Sequence, residues 1–201
     1  MENIQPPQNG VVTEQPIQSI QETYRKTIFP TEIRCFSFPL TQELIENIIK
    51  LVSSDSVDTD ILQIDDPSVE EIKNIVYEIC QNLEEFKDES AARIPLILGS
   101  NILFQQIREH IPLHAYEFTP LVFTFVLNND ENPNFTYFAD TRGAVQTPRH
   151  KVYNNLVGTS FGLKAKMGEV IVTPGYVQRY HETNMSTQTQ VLLNVLVGFT
   201  G

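Results

Sequence analysis

Apolar residues change their spacing along the chain, from a helical period before residue 90 to a strand-like pattern from Ile94 onward. In the first part they recur every three or four positions, which predicts two amphipathic helices at about 41–53 and 67–87. Thr41 is suited to cap the first helix, and Pro67 is suited to the first position of the second. The apolar stripes are Leu44, Ile45, Ile48, Ile49 and Val52, then Val69, Ile72, Ile75, Val76, Ile79, Leu83 and Phe86.

The second part of the chain is a series of short runs rich in β-branched and aromatic residues, separated by Gly, Pro and Asn turns. Such runs predict strands. Including one run before the first helix, the predicted strands are 27–38, 94–98, 102–107, 121–127, 135–138, 152–157, 161–165, 170–172, 177–181 and 191–199. Short strands after two helices indicate an α+β domain, mainly a β-sandwich or barrel with a helical flank.

The first residues form a segment of different composition, in which Pro, Gln, Asn and Thr dominate. Such a segment buries too little apolar surface to offset its ordering entropy. We therefore divide the chain into an extended or disordered N-terminal arm, 1–24, and a folded domain, 25–201. A disordered tail and an arm that becomes ordered on a protein partner, or on a second copy of the chain, are both consistent with this composition. The residues that would make such contacts are Gln5, Pro6, Pro7, Gln15 and Pro16.

Charge and cysteine content narrow the classes of function. The formal net charge is −11, which disfavours nucleic-acid binding because neutralising phosphates requires Lys and Arg. Cys35 and Cys80 lie in apolar patterns and are interpreted as buried free thiols in a reducing compartment. Neither a signal peptide nor an apolar run of about 18 residues is apparent. We therefore expect a soluble protein that is made in the cytoplasm and does not bind membranes.

Four stretches carry a resemblance to a known family. They are 27–45, then 105–126 with His114, then the Phe-Ala-Asp-Thr-Arg turn at 138–142, and finally Gly-Glu-Val and Pro-Gly-Tyr within 168–176. In this order and spacing the chain resembles the 2-oxoglutarate/Fe(II)-dependent oxygenase-like proteins of phages and marine bacteria. The resemblance implies a double-stranded β-helix, which is a jelly-roll of cupin-like type, flanked by the two N-terminal helices.

The resemblance also implies which residues to examine. Such an oxygenase holds iron with two imidazoles and one carboxylate, the first two ligands being provided by a His-x-Asp pair. This chain has His114 but places Tyr116 where the carboxylate belongs. An alignment without gaps puts Arg179 at the position of the second His, and Gln190 where an Arg would bind 2-oxoglutarate. The metal and co-substrate site is therefore interpreted as degenerate, and no cofactor is expected.

A shifted site is the alternative. His181 lies on the same face as Arg179 but about 6–7 Å further along an extended strand, so a two-residue bulge before it would be needed. The metal ligands would then be His114, Asp140, His181 and Glu182. The groups available for 2-oxoglutarate would be Arg142, Arg149, Arg179 and Gln190.

Structural interpretations exist for the same residues. His114 is expected to be a hydrogen-bonded imidazole in the barrel mouth, and Arg179 to pair with a carboxylate across that mouth. His181 and Glu182 fit the polar end of a strand, and Asp140 fits a turn that caps its own backbone amides.

Three functions follow from these interpretations. The first is a non-catalytic structural or interaction protein, in its most specific form an oligomeric phage virion component of the neck, tail or head that contacts other virion proteins through the arm. The second is an active Fe(II)/2-oxoglutarate-dependent dioxygenase, a hydroxylase, with an unusual ligand set. The third is a cupin-like module that binds a small ligand in the barrel mouth.

Overall fold

A computed structural model describes residues 20–28, 31–38, 41–54, 60–83, 86, 93–116, 118–128, 135–139 and 160–200. The helices are α1 (Gln42–Ser54), a 3₁₀ turn (Ile61–Gln63) and α2 (Pro67–Asn82). The strands are β1 (Gln21–Ile28), β2 (Thr31–Ser37), β3 (Ile94–Gln105), β4 (Ile111–His114), β5 (Leu121–Asn128), β6 (Thr136–Ala139), β7 (Ser160–Leu163), β8 (Glu169–Pro174), β9 (Gln178–His181) and β10 (Gln190–Thr200).

In the described part of the chain these strands form two sheets. The larger sheet has six strands in the order β1-β2-β8-β5-β10-β3, and the smaller has four in the order β4-β9-β6-β7. From β3 to β10 the chain passes back and forth between the two sheets, and every described pairing is antiparallel. This is a double-stranded β-helix flanked by two helices, which confirms the predicted fold class.

The large sheet buries both of its faces. One cluster joins the apolar stripes of α1 and α2 to one face of the large sheet, where Phe38 packs edge-on against Phe125 with ring centroids 5.2 Å apart. The other face points into the barrel and contributes to a second cluster of Ile33, Cys35, Val126, Phe138, Ala165, Ile171, Val177 and Leu192. Alternation along each strand sorts the side chains between these two clusters.

The helix boundaries follow from their caps. The Thr41 hydroxyl accepts a hydrogen bond from the Leu44 amide. Asp66, the residue before Pro67, caps the second helix in the same way, because its carboxylate accepts a hydrogen bond from the Ser68 amide. The second helix ends at Asn82, five residues earlier than predicted, because Leu83 is extended and its amide donates to the carbonyl of Cys80. The apolar stripe alone does not reveal this end.

Three strand predictions need correction. The run 27–38 forms two antiparallel strands, with Ile28 paired to Thr31, and β1 already begins at Gln21 within the interval assigned to the arm. The runs 94–98 and 102–107 are one strand, β3. It continues through Gly99, where its pairing with β10 shifts register. The predicted strand 152–157 lies outside the described residues.

Two further sequence predictions concern the cysteines and the membrane. Cys35 and Cys80 are both buried and form no disulfide, as predicted, and burial raises the pKa of Cys35 to about 12. Across the described residues, no helix combines the length and apolar character that a membrane span requires.

Candidate functional site

The site lies on β4 and β9, two neighbouring strands of the smaller sheet. In their pairing His114 lies opposite Arg179, whereas His181 lies opposite Ile111 after a register shift. Because side chains alternate along a strand, Arg179 and His181 both point into the barrel. Each is only 1% exposed.

Arg179 is a buried cation held by neutral groups. Its Nη2 donates to the Thr173 hydroxyl at 2.7 Å, and its Nη1 donates to the Thr124 hydroxyl at 3.1 Å. Its Nε is buried and has no hydrogen-bond partner. Two of the three nitrogens of the guanidinium are therefore bonded and the third is not.

Aromatic rings enclose the same guanidinium. Its central carbon lies 5.1 Å from the ring centroid of Tyr116 and 5.9 Å from that of Phe138. Burial lowers the pKa of Arg179 to about 10, so the group stays protonated at neutral pH. Within the described residues, hydroxyls and rings stand where the sequence interpretation placed a carboxylate, so that interpretation is wrong.

A chain of polar side chains runs from the arginine across the large sheet. Thr124 donates to Asn194 at 2.7 Å, and Asn194 donates to Asn101 at 3.0 Å. The Tyr116 hydroxyl donates to the same Asn101 oxygen at 3.2 Å. These residues were missed at the sequence level, although Asn194 is a signal, being a single polar residue inside the apolar run of β10.

The two histidines adjoin each other beside this cation. Their rings stack with centroids 6.0 Å apart and planes inclined by 27°. His114 Nδ1 contacts the carbonyl of Pro112 at 2.9 Å, and His181 Nδ1 contacts the hydroxyl of Thr136 at 3.0 Å. The predicted hydrogen-bonded imidazole at His114 is confirmed. Its Nε2 is buried with no partner.

Both imidazoles are held neutral. Burial is the main cause that lowers the pKa of His114, and the charge of Arg179 lowers it further. Burial also lowers the pKa of His181 to about 3, helped by His114, Arg179 and His110. His181 is the last residue of β9, in agreement with the predicted polar strand end, but it lies in the core. Glu182, the next residue, is exposed.

The described residues do not fit an iron ion with two imidazoles and a carboxylate. Among them, no three His, Cys, Asp or Glu side chains are grouped closely enough to hold a metal. Arg179 lies opposite His114, where the alignment placed the second His, and Tyr116 stands in place of the carboxylate. Strand β9 pairs with β6 without irregularity, so the bulge that would move His181 into register is absent from β9.

The remaining candidate residues divide into two groups. Gln190 is buried opposite Gln105 at the start of β10, and its Oε1 has no hydrogen-bond partner. The others lie outside the described residues, namely Asp140, Arg142, Arg149 and the arm residues Gln5, Pro6, Pro7, Gln15 and Pro16.

Comparison with known proteins identifies the architecture. No family model and no curated protein sequence matches the chain. Solved structures do match. The carbocyclase SnoK of nogalamycin biosynthesis superimposes with a TM-score of 0.58 at 10% identity, over 82% of this chain and 78% of that one. The viral collagen prolyl hydroxylase of Paramecium bursaria Chlorella virus-1 superimposes with a TM-score of 0.56 at 9% identity, over 82% of this chain and 94% of that one.

The chain has the fold of the 2-oxoglutarate/Fe(II)-dependent oxygenases. HygX of Streptomyces hygroscopicus, whose structure holds nickel and 2-oxoglutarate, also superimposes. Its TM-score is 0.57 at 11% identity, over 83% of this chain and 81% of that one. The resemblance read from the sequence is thereby confirmed at the level of the fold. Identities this low establish architecture alone, so function has to be argued from the side chains of the site.

Proposed function

We propose that this protein is a non-catalytic binding or interaction protein built on the oxygenase fold. The observation that supports this most directly is Arg179 lying opposite His114. A guanidinium stays charged at neutral pH and repels a divalent cation at short range in a poorly screened interior. Iron held by His114 would therefore have a fixed positive charge in place of its second imidazole ligand.

The groups around Arg179 support the same proposal. Tyr116 offers a phenol in place of the carboxylate, and burial raises its pKa, which keeps it neutral. Its hydroxyl donates to Asn101, and its ring covers the guanidinium. Tyr116 therefore packs against the arginine and provides no anionic ligand for a metal at that position.

The decisive experiment uses Fe(II) and 2-oxoglutarate with the full-length chain. Under anaerobic conditions we expect no charge-transfer absorption, and in air we expect no succinate above a protein-free control. Iron-dependent succinate formation that is lost in His114→Ala would contradict the proposal. His110→Ala, which removes an exposed imidazole, serves as the matched control.

A second candidate is an active dioxygenase. It is favoured by the two adjacent neutral imidazoles, because His114 Nε2 has no hydrogen-bond partner and its lone pair is free for a metal. The carboxylate would have to come from Asp140, outside the described residues, or from the exposed Glu182. The same iron experiment separates the two candidates, and Asp140→Asn is the variant specific to the second.

The identity of the partner is part of the proposal. The composition of residues 1–24 and the resemblance to phage proteins support a virion component that binds its own copies or other virion proteins through the arm. Deleting residues 1–19 stops short of β1, which begins at Gln21. We expect this deletion to leave the thermal unfolding of the domain unchanged and to abolish oligomerisation, measured as the mass in solution. An unchanged mass would leave the arm without this role.

A further inference from the structure

The guanidinium of Arg179 is a charge without an anionic partner in the described part of the chain. Its bonded partners are two threonine hydroxyls, and its Nε has no acceptor. A buried ion normally has a counter-ion, because removing it from water is costly and neutral hydrogen bonds offset only part of that cost. The free N–H of Nε therefore requires an acceptor, preferably an anionic one.

His114 provides the complementary requirement. Its Nδ1 faces the carbonyl of Pro112, which only accepts hydrogen bonds, so the proton of the neutral ring is assigned to Nδ1. Nε2 is then an acceptor, and it is buried without a donor. Whatever fills this site should donate a hydrogen bond to His114 while it accepts one from Arg179.

The two unsatisfied groups belong to one site. Arg179 lies over the ring of Tyr116, and the ring of His114 meets the edge of the same tyrosine with centroids 5.6 Å apart. The two residues are also paired across β4 and β9. The two unsatisfied groups therefore adjoin the ring of the same tyrosine.

Building on the proposed non-catalytic function, we propose that this site binds a small 2-hydroxycarboxylate. The carboxylate accepts from Arg179 Nε and provides the missing counter-charge, while the neighbouring hydroxyl donates to His114 Nε2. A simple carboxylate has no proton to donate to the histidine, and a neutral alcohol brings no counter-charge to the arginine. The burial of Arg179 restricts the ligand to a slender acid.

The test compares glycolate with acetate, which differ by one hydroxyl. Isothermal titration of the full-length, metal-free protein should show glycolate binding about tenfold more tightly than acetate, since one well-placed hydrogen bond to a buried group is at stake. A third titration uses 2-oxoglutarate, a carboxylate without the hydroxyl. If it binds more tightly than glycolate, the hydroxyl assignment is wrong.

Variants assign each half of the ligand. Arg179→Met should abolish binding of both acids, whereas Arg25→Met, an exposed arginine, should leave both affinities unchanged. His114→Phe keeps a ring but removes the acceptor, so it should bind glycolate and acetate equally. Glycolate binding that survives Arg179→Met, or a preference for glycolate that survives His114→Phe, would overturn the proposal.

A measurement on the wild-type protein tests the proposal without depending on whether the variants fold. The Nε–H resonance of Arg179 should shift on addition of glycolate and stay in place on addition of ethylene glycol, which lacks the carboxylate. If no acid binds at millimolar concentration and no iron-dependent turnover occurs, the ligand proposal fails and the non-catalytic function stands. Iron-dependent turnover would instead contradict the proposed non-catalytic function, whether or not the acids bind.

Discussion

Arg179 lies directly opposite His114 in the pairing of β9 with β4, and its guanidinium covers the ring of Tyr116, two residues beyond that histidine. The arginine and the tyrosine therefore form one unit. The tyrosine supplies a π face for the cation, and the cation occupies the position that the alignment assigns to a second imidazole. The two departures from the oxygenase pattern explain each other.

The first prediction concerns the stability of the ligand-free protein. Replacing Arg179 with Met should leave the free energy of unfolding unchanged or raise it by about 1–3 kcal/mol, because a buried charge with no counter-ion is exchanged for an apolar side chain of similar volume. Part of the gain is lost because the Thr173 hydroxyl loses its donor. Urea denaturation measures the difference.

Arg34 is the matched control for this prediction. It is also buried, 5% exposed, but it is paired with the Glu32 carboxylate on the same strand. Arg34→Met should therefore destabilise the protein, by about 1 kcal/mol because Glu32 is itself partly exposed to water. Equal destabilisation by both substitutions would mean that Arg179 is balanced by an anion in the free protein.

The second prediction concerns the loop that places Tyr116. The Gly175 carbonyl accepts a hydrogen bond from the Tyr116 amide at 3.0 Å, and a Cβ on Gly175 would lie 2.0 Å from the carbonyl oxygen of Thr119. Gly175→Ala should cost about 1–3 kcal/mol of stability, since the backbone has to move. Gly198→Ala is the control, because its Cβ would meet only the flexible side chain of Leu98 at 3.1 Å. Thermal unfolding that shows equal losses would contradict this.

The positions of most strands were accessible from the sequence because the β domain is made of short apolar runs bounded by turn residues, and such runs have a clear period. The end of α2 was not accessible. The apolar stripe continues through Leu83, where the backbone turns extended and caps the helix. The strand through Gly99 was divided for a related reason, because a glycine in a strand looks like a turn until its pairing with β10 is known.

The candidate site was predicted in part. The alignment with the resembling family placed Arg179 at the position of the second His, and in the structure Arg179 pairs with His114. The polar chain through Thr124, Asn194 and Asn101 is different, because it joins residues far apart in sequence that only the strand order brings together. The burial of His181 at the end of β9 was not predicted.

The third prediction is a dependence of stability on pH. The pKa of His181 is lowered to about 3, from 6.5 for an unperturbed imidazole. The unfolded chain therefore binds a proton that the folded protein rejects, and stability falls as the pH drops below 6.5. At pH 5 the loss from this residue is about 2 kcal/mol.

Denaturation curves at pH 7 and pH 5 measure this effect. His181→Gln should remove most of the difference between the two pH values, although it lowers stability at pH 7 through lost packing. His110 is a smaller cause of the lowered pKa of His181 than burial is, so His110→Gln should reduce the pH difference only slightly. An unaltered pH difference in His181→Gln would place the responsible proton elsewhere.

The fourth prediction tests whether the metal site was displaced by the Arg179–Tyr116 pair. The variant that combines Arg179→His with Tyr116→Asp places two imidazoles and a carboxylate on β4, β9 and the loop that follows β4. Removing the cation also removes its repulsion of a divalent ion. We expect this double variant to bind Co(II), which reports its own coordination through visible absorption, and we expect the wild-type protein not to.

The single variants decide how the two residues act. Tyr116→Asp alone should pair its new carboxylate with Arg179 and bind no cobalt, because an ion pair forms between the two replaced positions. Arg179→His alone should bind weakly, since His114 and the new imidazole lack a carboxylate. Cobalt binding by the wild-type protein that is lost in His114→Ala would show instead that the residues present already hold a metal, and that the shifted site is the correct one.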